Sequence, residues 1–265
     1  AMYAGLSAFG QPKELSVFDA TANGMTGRYL GLHNLMFGID EISNKEGKAL
    51  SQLAHGISHG KAKIRMQGSV NAEREHEMSA SLIAVFTTNQ SIYNKFEEIK
   101  ANPDGEAARV VELLVHKPDI LEGDDGGSIG RRVFDAFHYN YGHAGPMFIK
   151  EILQRGDNYV LDKIGAWSDR FVKDFGDNST YRFYQNLVAV VGAAGDITKE
   201  HNILAYDMDR VYHEVVRSMI EIRDNVVKVN RTDYPAVLGD YVNRNMGNML
   251  VIKDGKVSME PRGAI

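Results

Sequence analysis

The run Leu35-Met36-Phe37-Gly38-Ile39 is apolar at consecutive positions and ends in two adjacent carboxylates, Asp40 and Glu41. A strand with one wet face alternates apolar and polar residues. A strand apolar at every step is buried on both faces, and such strands belong to parallel sheets covered by helices above and below. Three more short runs read as strands: Leu82–Phe86, apolar throughout, and Leu15–Phe18 and Val110–Val115, apolar apart from Ser16 and Glu112, the last limited by Pro118. Helical stretches separate them. Asp19 to Asn34 carries one, with Thr21 or Asn23 as its N-cap. Lys45 to Ser58 places Leu50, Leu53, Ala54 and Ile57 on a single face. Strands alternating with helices predict an α/β fold with a parallel sheet.

From Gly145 onward the pattern is helical. Phe148, Ile149, Ile152 and Leu153 share a face, as do Ile164, Trp167, Phe171 and Val172. Phe183 to Ala194 and Met208 to Val226 read as two more helices, the latter with Val211, Val215, Met219 and Ile222 on its stripe. Met249–Ile252 and Lys256-Val257 flank Asp254-Gly255, the signature of a β-hairpin turn. The expected organisation is a core over 1–118, a linker and junction over 119–144, a helical subdomain over 145–228, and the start of a C-terminal β element over 229–265. The acidic, Gly-rich stretch Asp119–Ser128 is the expected linker or loop. Tyr139, Tyr141 and His143 either pack the junction or stack bases.

A chain of 265 residues that is 43% hydrophobic and 25% charged buries a large core. Its net charge of −5 argues against a uniformly basic nucleic-acid coat but permits a local basic groove. There is no cysteine, hence no disulfide and no thiolate metal site. No apolar stretch approaches the roughly 20 residues that span a bilayer. Both ends read as interrupted: Ala1–Leu6 has helical character with no N-cap before it, and the last residues stop after a β element begins. The chain is therefore expected to be a piece of a longer one.

Two carboxylates at the end of a core strand have a specific chemistry. The first can hold the water shell of Mg²⁺ and the second can orient and polarise an attacking water, which is how nucleotide triphosphates are hydrolysed. Asn89 ends the run Val85-Phe86-Thr87-Thr88 as Asp40 ends its own. A parallel sheet places both at one edge, where ligands bind. Arg109, just before Val110, is a candidate cation for the transferred phosphoryl group, acting across a subunit interface, and a surface ion pair with Glu106 or Glu112 is an equal alternative; Arg131 and Arg132 compete for the same role. Lys61, Lys63 and Arg65 alternate, so on a strand they share one face. With a turn near Gln67-Gly68-Ser69 they form a basic hairpin suited to a DNA backbone, or an edge strand protected by charge. His55 and His59 lie i, i+4 apart, but Gly56 stands where a zinc protease has Glu, and no third ligand is evident. A Gly-Lys-Ser/Thr phosphate loop is missing: Gly47-Lys48, Gly60-Lys61 and Gly255-Lys256 are followed by Ala49, Ala62 and Val257.

Over residues 1–225 the order of these segments resembles a domain family of phage, prophage and bacterial proteins described as superfamily II helicases and inactivated derivatives. Ala20-Thr21-Ala22-Asn23 precedes the Asp-Glu strand. Gly56-Ile57-Ser58-His59-Gly60-Lys61-Ala62-Lys63-Ile64-Arg65 stands for a Gly-x-Gly-Lys-x-Arg-like stretch. Phe86–Asn89, Gly105–Val110, Tyr141–Phe148 and Val191–Gly195 follow in the family's order. The resemblance implies a partial P-loop NTPase core whose parallel sheet lacks its first strand and phosphate loop, with Ala1 lying just after the missing Gly-Lys-Thr. It implies ATP and Mg²⁺ as cofactors, DNA, single-stranded, as partner, a homo-oligomeric parent, and work in the cytoplasm of a bacterial host during phage-type replication. The implied catalytic set is Asp40, Glu41, Asn89 and Arg109, with Asp40 holding Mg²⁺ through water. Lys61, Lys63 and Arg65 are the implied DNA contacts. Without the phosphate loop this chain alone is expected to be inactive. The alternative is a DNA-binding or scaffold module that keeps the fold without catalysis.

Overall fold

The structure is a computed structural model that describes residues 2–18, 20–61, 66–67, 72–73, 79–99, 103–116, 126–225, 234–245, 251–253 and 256–259. Residues up to Val227 form one compact unit and those from Lys228 a second.

The first unit is a mostly helical α/β fold around a small parallel sheet. Helices α1 (Met2–Leu6) and α2 (Pro12–Leu15) lead into β1 (Ser16–Val17), followed by α3 (Ala22–Leu32), β2 (Phe37–Ile39) and α4 (Gly47–His59). A short antiparallel pair, β3 (Met66–Gln67) and β4 (Ala72–Glu73), precedes β5 (Ala84–Phe86). The sheet order is β1-β2-β5, all parallel, with Gly38 level with both Ser16 and Val85. β2 is wholly buried, as its unbroken apolar character requires. Its glycine lets α1 lie close: a Cβ on Gly38 would stand 2.8 Å from Leu6 Cδ1 and 3.0 Å from Met2 Sδ.

Helix ends follow the sequence signals. Thr21 caps α3, its hydroxyl accepting from Gly24 N–H at 3.2 Å. Gly60 closes α4 in the left-handed region at φ 64. Short helices α5 (Ile92–Glu97) and α6 (Asp104–Ala107) precede Val110–Val115.

Val110–Val115 does not form the fourth strand expected of it. No described strand lies alongside to pair with it, and an apolar run without a ladder partner is not a strand. Glu112 instead accepts from Ser91 Oγ and Ile92 N–H at 3.1 and 2.9 Å, capping α5, while Leu114 and Val115 remain 82% and 78% exposed. The expected loop also ends early: Gly126 to Ser128 already belong to α7 (Gly126–Tyr139), and 117–125 lie outside the described residues. Tyr139 is 84% exposed at the end of α7 and packs no junction.

Helices α8 (Ala144–Arg155), α9 (Asp157–Phe175), α10 (Arg182–Glu200) and α11 (Met208–Asn225) complete the unit, with a 3₁₀ turn at Ser179–Tyr181. Small residues bring α9, α10 and α11 together: Gly192 lies against the Trp167 ring, and Gly195 against Met208. The buried stripe of α11 is Met208, Tyr212, Val216, Met219 and Ile222, one position on from the expected Val211 and Val215. The rotation follows Tyr212, whose ring packs 5.4 Å from Trp167 and whose hydroxyl donates to Asp174 Oδ2 at 2.7 Å. One apolar cluster runs from Phe37, Ile39, Leu50 and Phe96 to Phe171, Tyr184 and Met219. Tyr184 ties the helices to the core by donating to Ala107 O at 2.6 Å.

In the second unit, α12 (Tyr234–Asn245) is a helix that the sequence pattern does not announce. β6 (Val251–Lys253) and β7 (Lys256–Met259) pair antiparallel as the hairpin predicts, and the Asp254-Gly255 turn lies outside the described residues.

Candidate functional site

The parallel register builds the site. Ile39 is level with Phe86, so Asp40 and Thr87 emerge side by side one residue beyond the strands. The backbone clamps them: Asp40 N–H donates to Val17 O at 2.9 Å, Thr87 N–H to Ile39 O at 3.1 Å, and Ile42 N–H to Thr87 O at 2.9 Å. Thr87 Oγ1 then donates to Asp40 Oδ1 at 2.6 Å and accepts from Glu41 N–H at 2.8 Å. One hydroxyl thus fixes the first carboxylate's rotamer and the second residue's backbone.

Glu41 occupies the left-handed region at φ 57. A non-glycine residue there is strained, and such strain persists where the surroundings over-determine it. The turn aims the Glu41 side chain along the sheet edge. Its Oε2 accepts from Asn89 Nδ2 at 2.8 Å and its Oε1 from Ser43 N–H at 3.2 Å. Ser43 Oγ in turn accepts from Asn89 N–H at 2.9 Å and lies 3.2 Å from Thr88 Oγ1. Lys95 braces the turn from α5 by donating to the carbonyls of Ser43 and Lys45. The structure therefore brings Asp40, Glu41 and Asn89 into one hydrogen-bonded cluster. Thr87, Ser43 and Lys95 support it, and their part is set by register and loop geometry that no local motif announces.

Asp40 Oδ2 points toward α1, with the Tyr3 hydroxyl 3.5 Å away. A carboxylate oxygen with so long a contact retains capacity to accept from water. Among the described residues no group of three or more His, Asp or Glu could cage a metal. Mg²⁺ is ordinarily held by one or two carboxylates together with waters and phosphates, and Asp40 beside Glu41 fits that mode.

Arg109 lies elsewhere. Its Nε donates to Ser58 Oγ at 3.0 Å, Nη1 donates to Gly105 O, and the guanidinium sits 5.1 Å from the Phe183 ring centroid. Burial, together with nearby Arg182, lowers its pKa. Ser58 is at the C-terminal end of α4, about 18 Å along that helix from the carboxylate edge. Within one chain Arg109 touches none of the three cluster residues.

Lys61 is exposed, and its backbone bridges Ser79 antiparallel. Lys63 and Arg65 lie outside the described residues, as does the turn between β3 and β4. His55 and His59 stack at 6.4 Å, and His55 Nε2 approaches buried Glu106 at 3.5 Å, an arrangement explained by packing. A shallow, open cavity of about 250 Å³ is lined by Gln11, Lys13, Phe134, Asp135, His138 and Tyr139; of the residues singled out from sequence it contains Tyr139 and none of the carboxylate cluster.

The mostly helical α/β fold around a small parallel sheet is also found in a solved structure. Among solved structures the chain is similar to SCCmec type IV Cch, an active helicase, with a TM-score of 0.67 at 18% identity over 98% of this chain. At that identity the likeness shows the fold, and this chain spans 46% of that one. No family model and no curated protein matches the chain.

Proposed function

We propose that this chain is part of an ATP-dependent, helicase-like DNA-handling protein of phage or prophage type, working in a bacterial cytoplasm. The observation that carries the reading is the cluster at the sheet edge: Asp40 anchored by Thr87 at 2.6 Å and Glu41 held by Asn89 at 2.8 Å.

Each group has a distinct task. Asp40 would hold a Mg²⁺ ion through water, and that ion supplies charge neutralisation at the nucleotide's phosphates. Glu41 would accept the proton of the attacking water, as a fixed general base. Asn89 holds Glu41 and presents its remaining amide capacity to the same space. Arg109, tied down far from its own carboxylates, acts on a neighbouring copy's nucleotide in a homo-oligomer. Lys61, Lys63 and Arg65 contact single-stranded DNA. These 265 residues contain no Gly-Lys-Ser/Thr, so by themselves they are not expected to turn over ATP.

The test uses the full-length protein. Glu41→Gln should still bind Mg·ATP, measured by calorimetry, but lose turnover by about 10²-fold or more. Turnover unchanged in Glu41→Gln removes that residue from the role. A wild type that binds DNA without hydrolysing ATP favours the scaffold alternative.

A further inference from the structure

We infer that Lys95 is a positioning residue for the proposed hydrolysis, its ammonium locking the turn that carries Glu41 to the helix that follows Asn89; the inference rests on the hydrolase reading above. Glu41 sits at φ 57, where a non-glycine residue stays only if its surroundings hold it. On the upstream side the hold comes from Thr87, which takes Glu41 N–H on its hydroxyl at 2.8 Å and Ile42 N–H on its carbonyl at 2.9 Å. Downstream the chain leaves the sheet, and another anchor is needed.

Ser43 is the joint on that side, with each of its polar groups engaged. Its N–H donates to Glu41 Oε1 at 3.2 Å, its hydroxyl accepts from Asn89 N–H at 2.9 Å, and its carbonyl accepts from Lys95 Nζ. The same ammonium donates to Lys45 O at 2.9 Å, across the turn that Lys45 N–H closes on Ile42 O at 3.0 Å. An ammonium carries three donors, and its bonds to carbonyls are charge-assisted, so one side chain can pin two points of a turn. Among the described residues both partners of Lys95 are these backbone carbonyls.

Helix α5 makes Lys95 a fixed anchor. Ile92, Tyr93 and Phe96 are buried, the Tyr93 hydroxyl donates to Val110 O at 2.6 Å, and Glu112 caps the first turn. Asn89 lies just before the Ser91 N-cap of that helix, so it moves with α5 as Lys95 does. Glu41 is therefore gripped from one rigid element at two points: directly by Asn89 Nδ2 at 2.8 Å, and through Ser43 by Lys95.

An independent feature keeps α5 within reach. Gly47 opens α4 directly after the turn, and a Cβ on it would overlap the Lys95 carbonyl oxygen, a backbone atom that cannot swing aside. The glycine of Gly47-Lys48, which belongs to no phosphate loop, thus lets α5 pack close enough for the Lys95 side chain to span Ser43 and Lys45.

The experiment uses the full-length protein. Lys95→Met keeps the aliphatic stem and removes the ammonium; kcat for Mg·ATP should fall roughly 10- to 10²-fold, as for a misplaced catalytic group, with KM within about twofold of wild type. Lys95→Arg should recover part of the loss. Gly47→Ala touches no polar group of the cluster and should lower kcat in the same way, whereas Lys48→Met, at the exposed next position, should change neither constant. Hydrogen exchange gives a readout independent of turnover. In Lys95→Met the amides of Ser43 and Asn89 should exchange faster, while those of β2 and α4 keep wild-type rates. A kcat within about twofold of wild type in Lys95→Met overturns the inference, as does a raised KM at unchanged kcat. Faster exchange spread through β2 and α4 also overturns it, since that marks a general loss of stability. A wild type that binds Mg·ATP without turnover overturns the hydrolase reading and this inference with it, and the unmutated control tells that outcome apart from the others.

Discussion

Residue by residue, the site divides by how its members are connected. Asp40, Glu41 and Asn89 are legible in sequence because each sits at the end of an apolar run, and a parallel sheet brings such ends together. Thr87 is invisible to that reasoning, although it makes two of the site's shortest hydrogen bonds. Its part depends on Ile39 being level with Phe86, a register that the sequence does not state. Tyr3, Ser43 and Lys95 escape for the same reason, since each arrives from a different element. The weight on Thr87 makes it the sharpest point mutation. Thr87→Val keeps the shape but removes the donor to Asp40 and the acceptor for Glu41 N–H. Leaving those groups part-buried without their partner should cost about 1–3 kcal/mol. The expected outcome is a lower urea midpoint with an unchanged slope, and a larger loss of turnover in the full-length protein than the stability change explains. Thr87→Ser should restore both. Equal turnover in Thr87→Val and wild type would show that the Asp40 rotamer does not need this hydroxyl.

At the scale of elements, the long helices α4, α9, α10 and α11 and most of the strands follow the sequence, whereas α7, α12 and the run Val110–Val115 do not. A helix closes its own hydrogen bonds, so periodicity and caps go far: Thr21 starts α3 as expected, and Gly60 closes α4. A strand needs a neighbour. Val110–Val115 is apolar apart from Glu112, and Leu82–Phe86 throughout, yet only the latter contributes a strand, because β2 lies beside it. The rotated stripe of α11 is a subtler case: Val211 and Tyr212 are both apolar enough to face inward, and the Trp167 ring and the Asp174 carboxylate decide for Tyr212. The seam between α9 and α10 depends on Gly192 in a way that can be measured. A Cβ there would lie 2.4 Å from Trp167 Cδ2. Trp167 cannot swing aside freely, since its Nε1 donates to Asp196 Oδ2 at 2.8 Å. Overpacking a close contact of this kind costs about 1–3 kcal/mol, against about 1 kcal/mol gained from replacing a mid-helix glycine by alanine. Gly192→Ala should therefore destabilise by a net of up to about 2 kcal/mol in denaturant unfolding, with a red-shifted Trp167 emission. Gly165, with nothing within 4 Å of its would-be Cβ, is the matched control, and Gly165→Ala should stabilise. Destabilisation by both would point to the backbone instead of the seam.

At the scale of the whole molecule, net charge and fold pull in different directions. A chain of −5 is repelled by nucleic acid on average, so any DNA contact must be local. The fold likeness to a helicase spans 46% of that structure and does not locate a DNA surface. The surface proposed above is Lys61, Lys63 and Arg65, the densest alternating cations in the chain. Lys61 is exposed where the chain leaves α4, and the described residues beyond it return as the antiparallel pair β3–β4. A charged projecting hairpin and a charge-protected edge look alike in sequence, and counterion release separates them. Each phosphate contact on a single strand contributes about −0.7 to the slope of log K against log salt. Replacing all three cations by Ala in the full-length protein should reduce the magnitude of that slope by about 2, measured by anisotropy on labelled oligo-dT. Affinity should fall most at low salt, and the thermal midpoint should stay put. A slope within 0.5 or so of wild type would mean that no phosphate is lost and that the stripe guards an edge. The carboxylate cluster bears on the same measurement. Glu41→Gln removes a negative charge on a different element from the stripe, so its slope should remain at the wild-type value, and a parallel drop there would show that the salt effect reports general charge and not a DNA contact.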